Sequence, residues 1–334
     1  MRDPVTNFEY PAEWVERCAR DEDRTLAQEG RAVLTSSGSV LRRGFTTGTT
    51  AAAAAKAAVL SLRQEIASVT ITLPCGISID VPARGAGGSA SCRKYAGDYP
   101  HDITADLEFC AIATREPGSM TVLFGEGIGR FSRDTPRYRN GSPAVSPQAL
   151  SCIVRSVQEA LDQLGESGIS VQISAPGGTA IGPRTLNPKI GVIGGISVLG
   201  TTGFVEPWDD HLTGSALERI AAAEHPVLTT GRTGLRFSRL LFPDREVILI
   251  GGKIREALLA AKGDLTLCGL PALILRYIDP DILAGTGYST VEEFAASPRF
   301  AVKLEETLRK FRETCPRVTV VIINREGRIL GESP

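Results

Sequence analysis

Residues 247–277 read VILIGGKIREALLAAKGDLTLCGLPALILRY. Short aliphatic runs at 247–250 and 265–268 read as strands. Each is followed by a segment with helical spacing of apolar residues, 254–261 and 270–277. The alternation continues through 291–314 and 318–323. Strand, helix, strand in this order is the pattern of βαβ units, which build a parallel sheet. A Rossmann-like α/β domain is therefore expected over residues 206–334.

Upstream the pattern changes. Thr46-Thr47-Gly48-Thr49-Thr50, followed by alanines through 58, reads as an N-capped helix reaching about residue 65. β-branched residues at 68–73 and 77–81 flank Pro74-Cys75-Gly76 and predict a hairpin. Further strands are expected at 103–114, 120–124, 169–173 and 190–193, and a one-faced helix at 147–164. This mixture predicts a mixed-sheet α+β domain over residues 41–205, so the expected fold class is α/β and α+β in two domains. The Gly- and Thr-rich stretch around 195–215 marks the boundary. Residues 1–40, broken by Pro4 and Pro11 and charged over 13–31, read as a leader bearing a solvated helix.

The chain has 334 residues, with 37 basic and 38 acidic side chains and a formal net charge of −1. That length suits about two domains. A hydrophobic fraction of 42% beside 22% charged residues excludes global disorder. Near-neutral charge and 6% aromatic residues argue against a general nucleic-acid binder. The opening residues carry acids and lack an apolar core, so they do not read as a secretory signal. The run 51–60 is interrupted by Lys56 and is too short to span a bilayer. Seven scattered cysteines and three histidines (His101, His211 and His225) point to reduced thiols, a cytoplasmic setting and no metal site.

Several segments carry candidate chemistry. The hydroxyls at 46–50 offer an anion site at a helix N-terminus, or cap a core helix. Gly125-Glu126-Gly127-Ile128-Gly129 lacks the third glycine of a dinucleotide fingerprint, which weighs against a nicotinamide oxidoreductase. Arg130, Arg133, Arg137 and Arg139 follow, opposed only by Asp134. Their forks suit a ligand with several carboxylates, a solvated basic loop being the alternative. The stretch 191–203 holds Gly194, Gly195, Ser197, Gly200, Thr201 and Thr202, and its glycines permit close backbone approach. It is favoured as a ligand site over a linker. Thr230-Gly231 and Gly251-Gly252 end apparent strands, where α/β proteins bind nucleotides. The loop from Lys94 through Tyr95, Asp98 and Tyr99 to Asp102 mixes bases, acids and aromatics.

Taken together, these segments resemble the CbiD family, which methylates C-1 of cobalt-precorrin-5B in anaerobic cobalamin biosynthesis. The matches are Leu41-Arg42-Arg43-Gly44-Phe45-Thr46-Thr47-Gly48-Thr49-Thr50 with the alanines and Lys56 behind it, and Gly125-Glu126-Gly127-Ile128-Gly129. Asn187-Pro188 through Gly203-Phe204-Val205-Glu206-Pro207 is the longest match, and Thr229-Thr230-Gly231 continues it. Thr50 stands where the family usually has Cys, and Tyr95 and Tyr99 replace two acids of its acid-rich loop. The resemblance implies S-adenosylmethionine as methyl donor and a tetrapyrrole substrate, with neither nucleic acid nor membrane as partner; a homo-oligomer is compatible. It suggests Gly194, Gly195, Ser197, Gly200, Thr201, Thr202, Thr230, Gly231, Gly251 and Gly252 for the donor. For the tetrapyrrole it suggests Thr46, Thr47, Thr49, Thr50, Lys94, Arg130, Arg133, Arg137 and Arg139. Asp98, Asp102 and Glu126 are the candidates for balancing charge at the reacting centre. A divergent member with another substrate and a non-catalytic tetrapyrrole-binding protein are the alternatives.

Overall fold

The structure is a computed structural model describing residues 1–99, 102–135, 137–207 and 216–334; His101 and His211 lie outside these. The chain opens with Ala12–Arg17 (α1) and Asp21–Gln28 (α2), then an antiparallel pair, Ala32–Leu34 (β1) and Val40–Arg42 (β2). Gly44–Phe45 (β3) leads into Thr47–Leu60 (α3). Next come Ile66–Thr72 (β4), Ser78–Ala86 (β5), Ser89–Arg93 (β6), Glu108–Arg115 (β7) and Met120–Phe124 (β8). The two-residue strands Gly127–Ile128 (β9) and Arg130–Phe131 (β10) precede Pro147–Leu164 (α4) and Ile169–Ser174 (β11). Six of these strands form one sheet in the order β4-β5-β6-β7-β11-β8, antiparallel except for the β11–β8 pair.

Helix α3 is buried from Thr47 to Val59. A helix apolar on every side belongs inside a core, and this one lies between the sheet and α4. Alanine is what permits the closeness: a Cβ added at Gly85 of β5 would stand 2.9 Å from the Ala57 carbonyl. Lys56, the one charge in the alanine run, donates to the Thr70 carbonyl (2.8 Å) and to Glu159 of α4 (2.6 Å). Ser146 caps α4, Pro147 starts it and Gly165 ends it in the left-handed region. The expected helix at 46–65 stops at Leu60. The expected strand at 103–114 starts only at Glu108, because Asp102 closes a turn by accepting from Ala105 N (2.9 Å).

After β11, the helical turn Gly178–Ile181 (α5) is followed by Val192–Ile193 (β12), Gly195–Ile196 (β13) and Phe204–Val205 (β14), which pair with β10, β9 and β3. The remaining elements are Ala216–Ala222 (α6), Val227–Thr229 (β15), Arg232–Leu241 (α7), Val247–Leu249 (β16), Ile254–Ala260 (α8) and Leu265–Gly269 (β17). Pro271–Ile278 (α9), Val291–Ala295 (α10), Phe300–Thr314 (α11), Val318–Ile323 (β18) and Ile329–Glu332 (β19) complete the chain. Their sheet has the order β16-β15-β17-β18-β19, with the first four strands parallel and β19 antiparallel. Among the described residues no helix is long and apolar enough to cross a membrane.

Alternate residues of this second sheet go to opposite faces, as strand geometry requires. Leu228, Ile248, Leu267 and Ile322 pack with Leu258, Leu304 and Leu308. Val227, Val247, Cys268, Val321 and Ile323 pack instead with Tyr10, Trp14, Cys18, Val33 and Leu34. The first forty residues are therefore not a solvated leader; they cover one face of the second sheet. Ser36 ties them there, its N–H donating to Leu240 O (2.8 Å) and its hydroxyl to Leu241 O (2.9 Å). The i, i+4 spacing of Tyr10, Trp14 and Cys18 is the helical signal that the surrounding charges hide.

Candidate functional site

The glycine-rich segments of the first half meet backbone to backbone. At Gly127, φ is +75° and an added Cβ would lie 1.7 Å from the Ala175 carbonyl oxygen. Cβ atoms on Gly195 and Gly178 would stand 2.1 and 2.3 Å from the Gly127 oxygen. Asn187 secures the knot, its Nδ2 donating to Gly195 O (2.9 Å) while its Oδ1 accepts from the Ser197 hydroxyl (2.9 Å). Gly127 and Gly195 thus serve packing, whereas Gly194, at φ +77°, faces open space.

Beside this knot opens a groove of 390 Å³ lined by Phe131, Thr135, Arg137, Tyr138, Ala144, Ile190, Ser197 and Leu199. Phe131 and Tyr138 stack with centroids 4.4 Å apart and planes 11° from parallel. Ile190 and Leu199 are 52% and 53% exposed, an unusual state for aliphatic side chains that lie together. Arg133, Arg137 and Arg139 are exposed and form no ion pair with a described residue. Arg133 lies close by, its Nε 3.1 Å from where a Cβ on Gly191 would stand. Arg130 differs: its guanidinium donates to Gly141 O and Phe124 O, both at 2.9 Å, and holds the loop.

The threonines at 46–50 stand behind the groove and their hydroxyls are all engaged. Thr46 Oγ1 accepts from Thr49 N (3.2 Å), and Thr46 N and Gly48 N donate to Gly203 O and Leu199 O. Thr47 Oγ1 accepts from Leu199 N (2.8 Å) and donates to Ser197 O (3.1 Å), while Thr49 Oγ1 donates to Gly203 O (2.7 Å). Thr50 Oγ1 bonds back to Thr46 O (3.0 Å). The helix start therefore clamps residues 197–203 and presents no open anion site. Gly200 passes so near that its Cβ would meet Thr46 Oγ1 at 2.5 Å. Thr201 is exposed, and the Thr202 hydroxyl turns to Phe204.

The acid-rich loop is structural too. Asp98 accepts from Arg42 N (2.7 Å) and donates its own N–H to Arg42 O (3.0 Å). Lys94 and Asp102, each with a side chain 2% exposed, form an ion pair, and Asp102 also accepts from the N–H and hydroxyl of Thr104. Burial alone would raise the Asp102 pKa, but Lys94 and Thr104 outweigh it and hold the carboxyl below its ordinary 3.8. The stabilisation is thus complete above 3.8 and is lost as pH falls below it. Acid unfolding of the wild type should show this loss, and Asp102→Asn should flatten that limb; an unchanged profile would remove the pair from the account. Neither Lys94 nor Asp102 is placed to meet a ligand. Glu126 is exposed, and its carboxylate has no partner among the described residues.

A second cluster lies at the carboxyl edge of the parallel sheet. Thr230 follows β15 and is 9% exposed, and Gly231 opens α7. Gly231, Gly251 and Gly252 have nothing within 4 Å of where a Cβ would stand. β15 lies between β16 and β17, so the chain reverses direction across the sheet here, the place where open α/β sheets bind ligands.

The CbiD family model matches residues 34–207. The chain belongs to the CbiD family. It is 58% identical over 334 residues to the cobalt-precorrin-5B C(1)-methyltransferase of Methanoregula boonei, covering 100% of both chains. The protein of that name from Methanosarcina acetivorans is 43% identical over 336 residues, covering 100% of this chain and 99% of its own. A 1.9 Å crystal structure of the cobalamin biosynthesis protein (cbiD) from Archaeoglobus fulgidus is 34% identical, with a TM-score of 0.56, covering 83% of this chain and 93% of that one.

The CbiD motifs now divide by role. Arg43, from the first, is buried: it pairs with Asp3 (2.6 Å) and with Glu206 (2.8 Å) at the end of the longest motif. It also donates to Gly30 O (3.0 Å) and Ala32 O (3.3 Å), with its guanidinium 5.9 Å from the Phe204 ring centroid. Such a motif residue looks functional in sequence and is architectural in space. Burial pushes the Cys92 and Cys268 thiols up to about 12 and about 11, which leaves them unreactive at neutral pH. Sequence reasoning missed the groove's Phe131, Tyr138, Ile190 and Leu199; the aromatics bracketing the basic loop were the available signal. No group of three or more His, Cys, Asp or Glu able to hold a metal occurs among the described residues.

Proposed function

We propose that this CbiD protein transfers a methyl group from S-adenosylmethionine to C-1 of cobalt-precorrin-5B, the reaction in its relatives' name. The observation that carries this reading is the apolar groove with stacked Phe131 and Tyr138 beside Arg133, Arg137 and Arg139, which form no ion pair among the described residues. A macrocycle with an apolar face and carboxylates around its rim needs that combination. Cobalt comes with the substrate.

The donor fits the other cluster, where Thr230 is nine-tenths buried and the glycines at 231, 251 and 252 leave room. When bound, S-adenosylmethionine supplies an electrophilic methyl on sulfur. The protein's work is then to orient the two reactants and exclude water, which contributes up to roughly 7–11 kcal/mol in well-aligned cases. Exposed Glu126 is the acid still available to face developing charge. In this reading residues 41–205 form the substrate domain and 206–334 a Rossmann-like donor domain, in a cytoplasmic enzyme.

Incubation with both reactants should give a product heavier by one methyl group, together with S-adenosylhomocysteine. Corrinoid binding without product would point instead to a non-catalytic binding protein. Arg137→Ala should weaken binding of cobyrinic acid, a polycarboxylate corrinoid, about tenfold through loss of a charge-assisted hydrogen bond, with the urea midpoint unchanged. Equal affinity in wild type and variant would remove the groove from the substrate site.

A further inference from the structure

We propose that the N-terminus of α7 holds the carboxylate of the methyl donor, with Arg232 as its counter-charge and Thr230 as a hydroxyl donor. The proposal rests on the placement of the donor at the carboxyl edge of the second sheet. Helix α7 has ten residues, and its N-cap, Gly231, supplies no side-chain cap. The first helical N–H to find an acceptor is that of Leu235, which donates to Gly231 O (2.8 Å). Those of Arg232, Thr233 and Gly234 have none among the described residues. The first turn contains no acid. Orphan N–H groups and the positive end of the helix dipole together favour an anion.

Arg232 sharpens the argument. It is the first residue of the helix, exposed, without an ion pair to a described residue. A cation at this end opposes the dipole, so an anion between them relieves both. Thr230 adds a hydroxyl beside the helix start. It is 9% exposed, and its hydroxyl has no hydrogen-bond partner among the described residues. The neighbouring Thr229 Oγ1 is fully buried and likewise unpartnered. Both hydroxyls converge on the end of β17: a Cβ on Gly269 would lie 3.4 Å from Thr229 Oγ1 and 3.5 Å from Thr230 Oγ1. Thr229 Oγ1 is sealed from solvent, whereas the Thr230 hydroxyl keeps some accessible surface, so a carboxylate at the helix start can accept from it.

Calorimetry with S-adenosylhomocysteine and its decarboxylated analogue, S-adenosyl-3-thiopropylamine, tests this. Wild type should bind the carboxylate-bearing ligand at least tenfold more tightly. Arg232→Ala should abolish that preference and leave the analogue's affinity unchanged, and Thr230→Val should weaken S-adenosylhomocysteine several-fold. Circular dichroism confirms that both variants fold. Equal binding of the two ligands by wild type, or an Arg232→Ala effect equal on both, overturns the proposal while leaving the methyltransferase reading intact. Failure of wild type to bind either ligand, with and without cobyrinic acid, instead overturns the donor placement, and this proposal with it.

Discussion

Arg43→Ala is expected to lower the free energy of unfolding by about 3–5 kcal/mol, measured by urea denaturation. The side chain is fully buried between Asp3 and Glu206. Its removal takes from Asp3 and Glu206 the guanidinium that joins them. It also strips the Gly30 and Ala32 carbonyls of their donor. The cost comes from stranding buried charge, so Asp3→Asn, which keeps hydrogen bonding possible, should cost clearly less. Triple replacement of Arg43, Asp3 and Glu206 by apolar residues of similar volume should recover much of the loss. A change under about 1 kcal/mol in Arg43→Ala, the range of exposed pairs, would refute the assignment.

Gly127→Ala is the second large effect. Its Cβ would arrive 1.7 Å from the Ala175 carbonyl oxygen, and φ is +75°. The obstacle is backbone, held by β9 pairing with β13 and by Ala175 N donating to Glu126 O (2.8 Å), so it has nowhere to move. A loss above about 4 kcal/mol is expected, at the extreme of single substitutions. Gly194→Ala provides the control: φ is +77°, yet no atom lies within 4 Å of the added Cβ. It should cost only about 1–2 kcal/mol, the strain of a left-handed alanine. Similar losses in the two variants would mean that conformational strain, and not collision, explains both.

The elements read most easily were those whose signals are local. Ser146-Pro147 and Gly165 bracket α4, and its apolar spacing lies between them. The parallel strands are short, continuously buried runs, and the family motifs follow one another along the chain. What stayed hidden depends on which groups meet in space. Nothing near Lys94 tells that Asp102 neutralises it out of solvent, or that Asp98 is occupied by the backbone of Arg42. The hydroxyls at 46–50 read equally well as a ligand cradle or as a clamp, and only the carbonyls of Ser197, Leu199 and Gly203 decide for the clamp. Among four similar arginines, one is tied to carbonyls and three are not. Charge density in residues 1–40 concealed the few apolar positions that bind them to the second sheet.

The packing of Tyr10, Trp14 and Val33 against Val321 and Ile323 also orders events in time. The first of these side chains leave the ribosome when none of the strands they will cover has been made. At roughly 5–20 residues per second, the roughly 300 residues that separate them take about 15–60 s to translate. For that interval the opening segment is an apolar surface awaiting its complement, the circumstance in which nascent chains engage chaperones. Residues 10–34 and the strand at 318–323 are thus the last of these parts to meet. A bulky amino-terminal fusion should interfere with the final step of maturation, whereas the sheet around α3, complete once β11 emerges, can form without waiting for it.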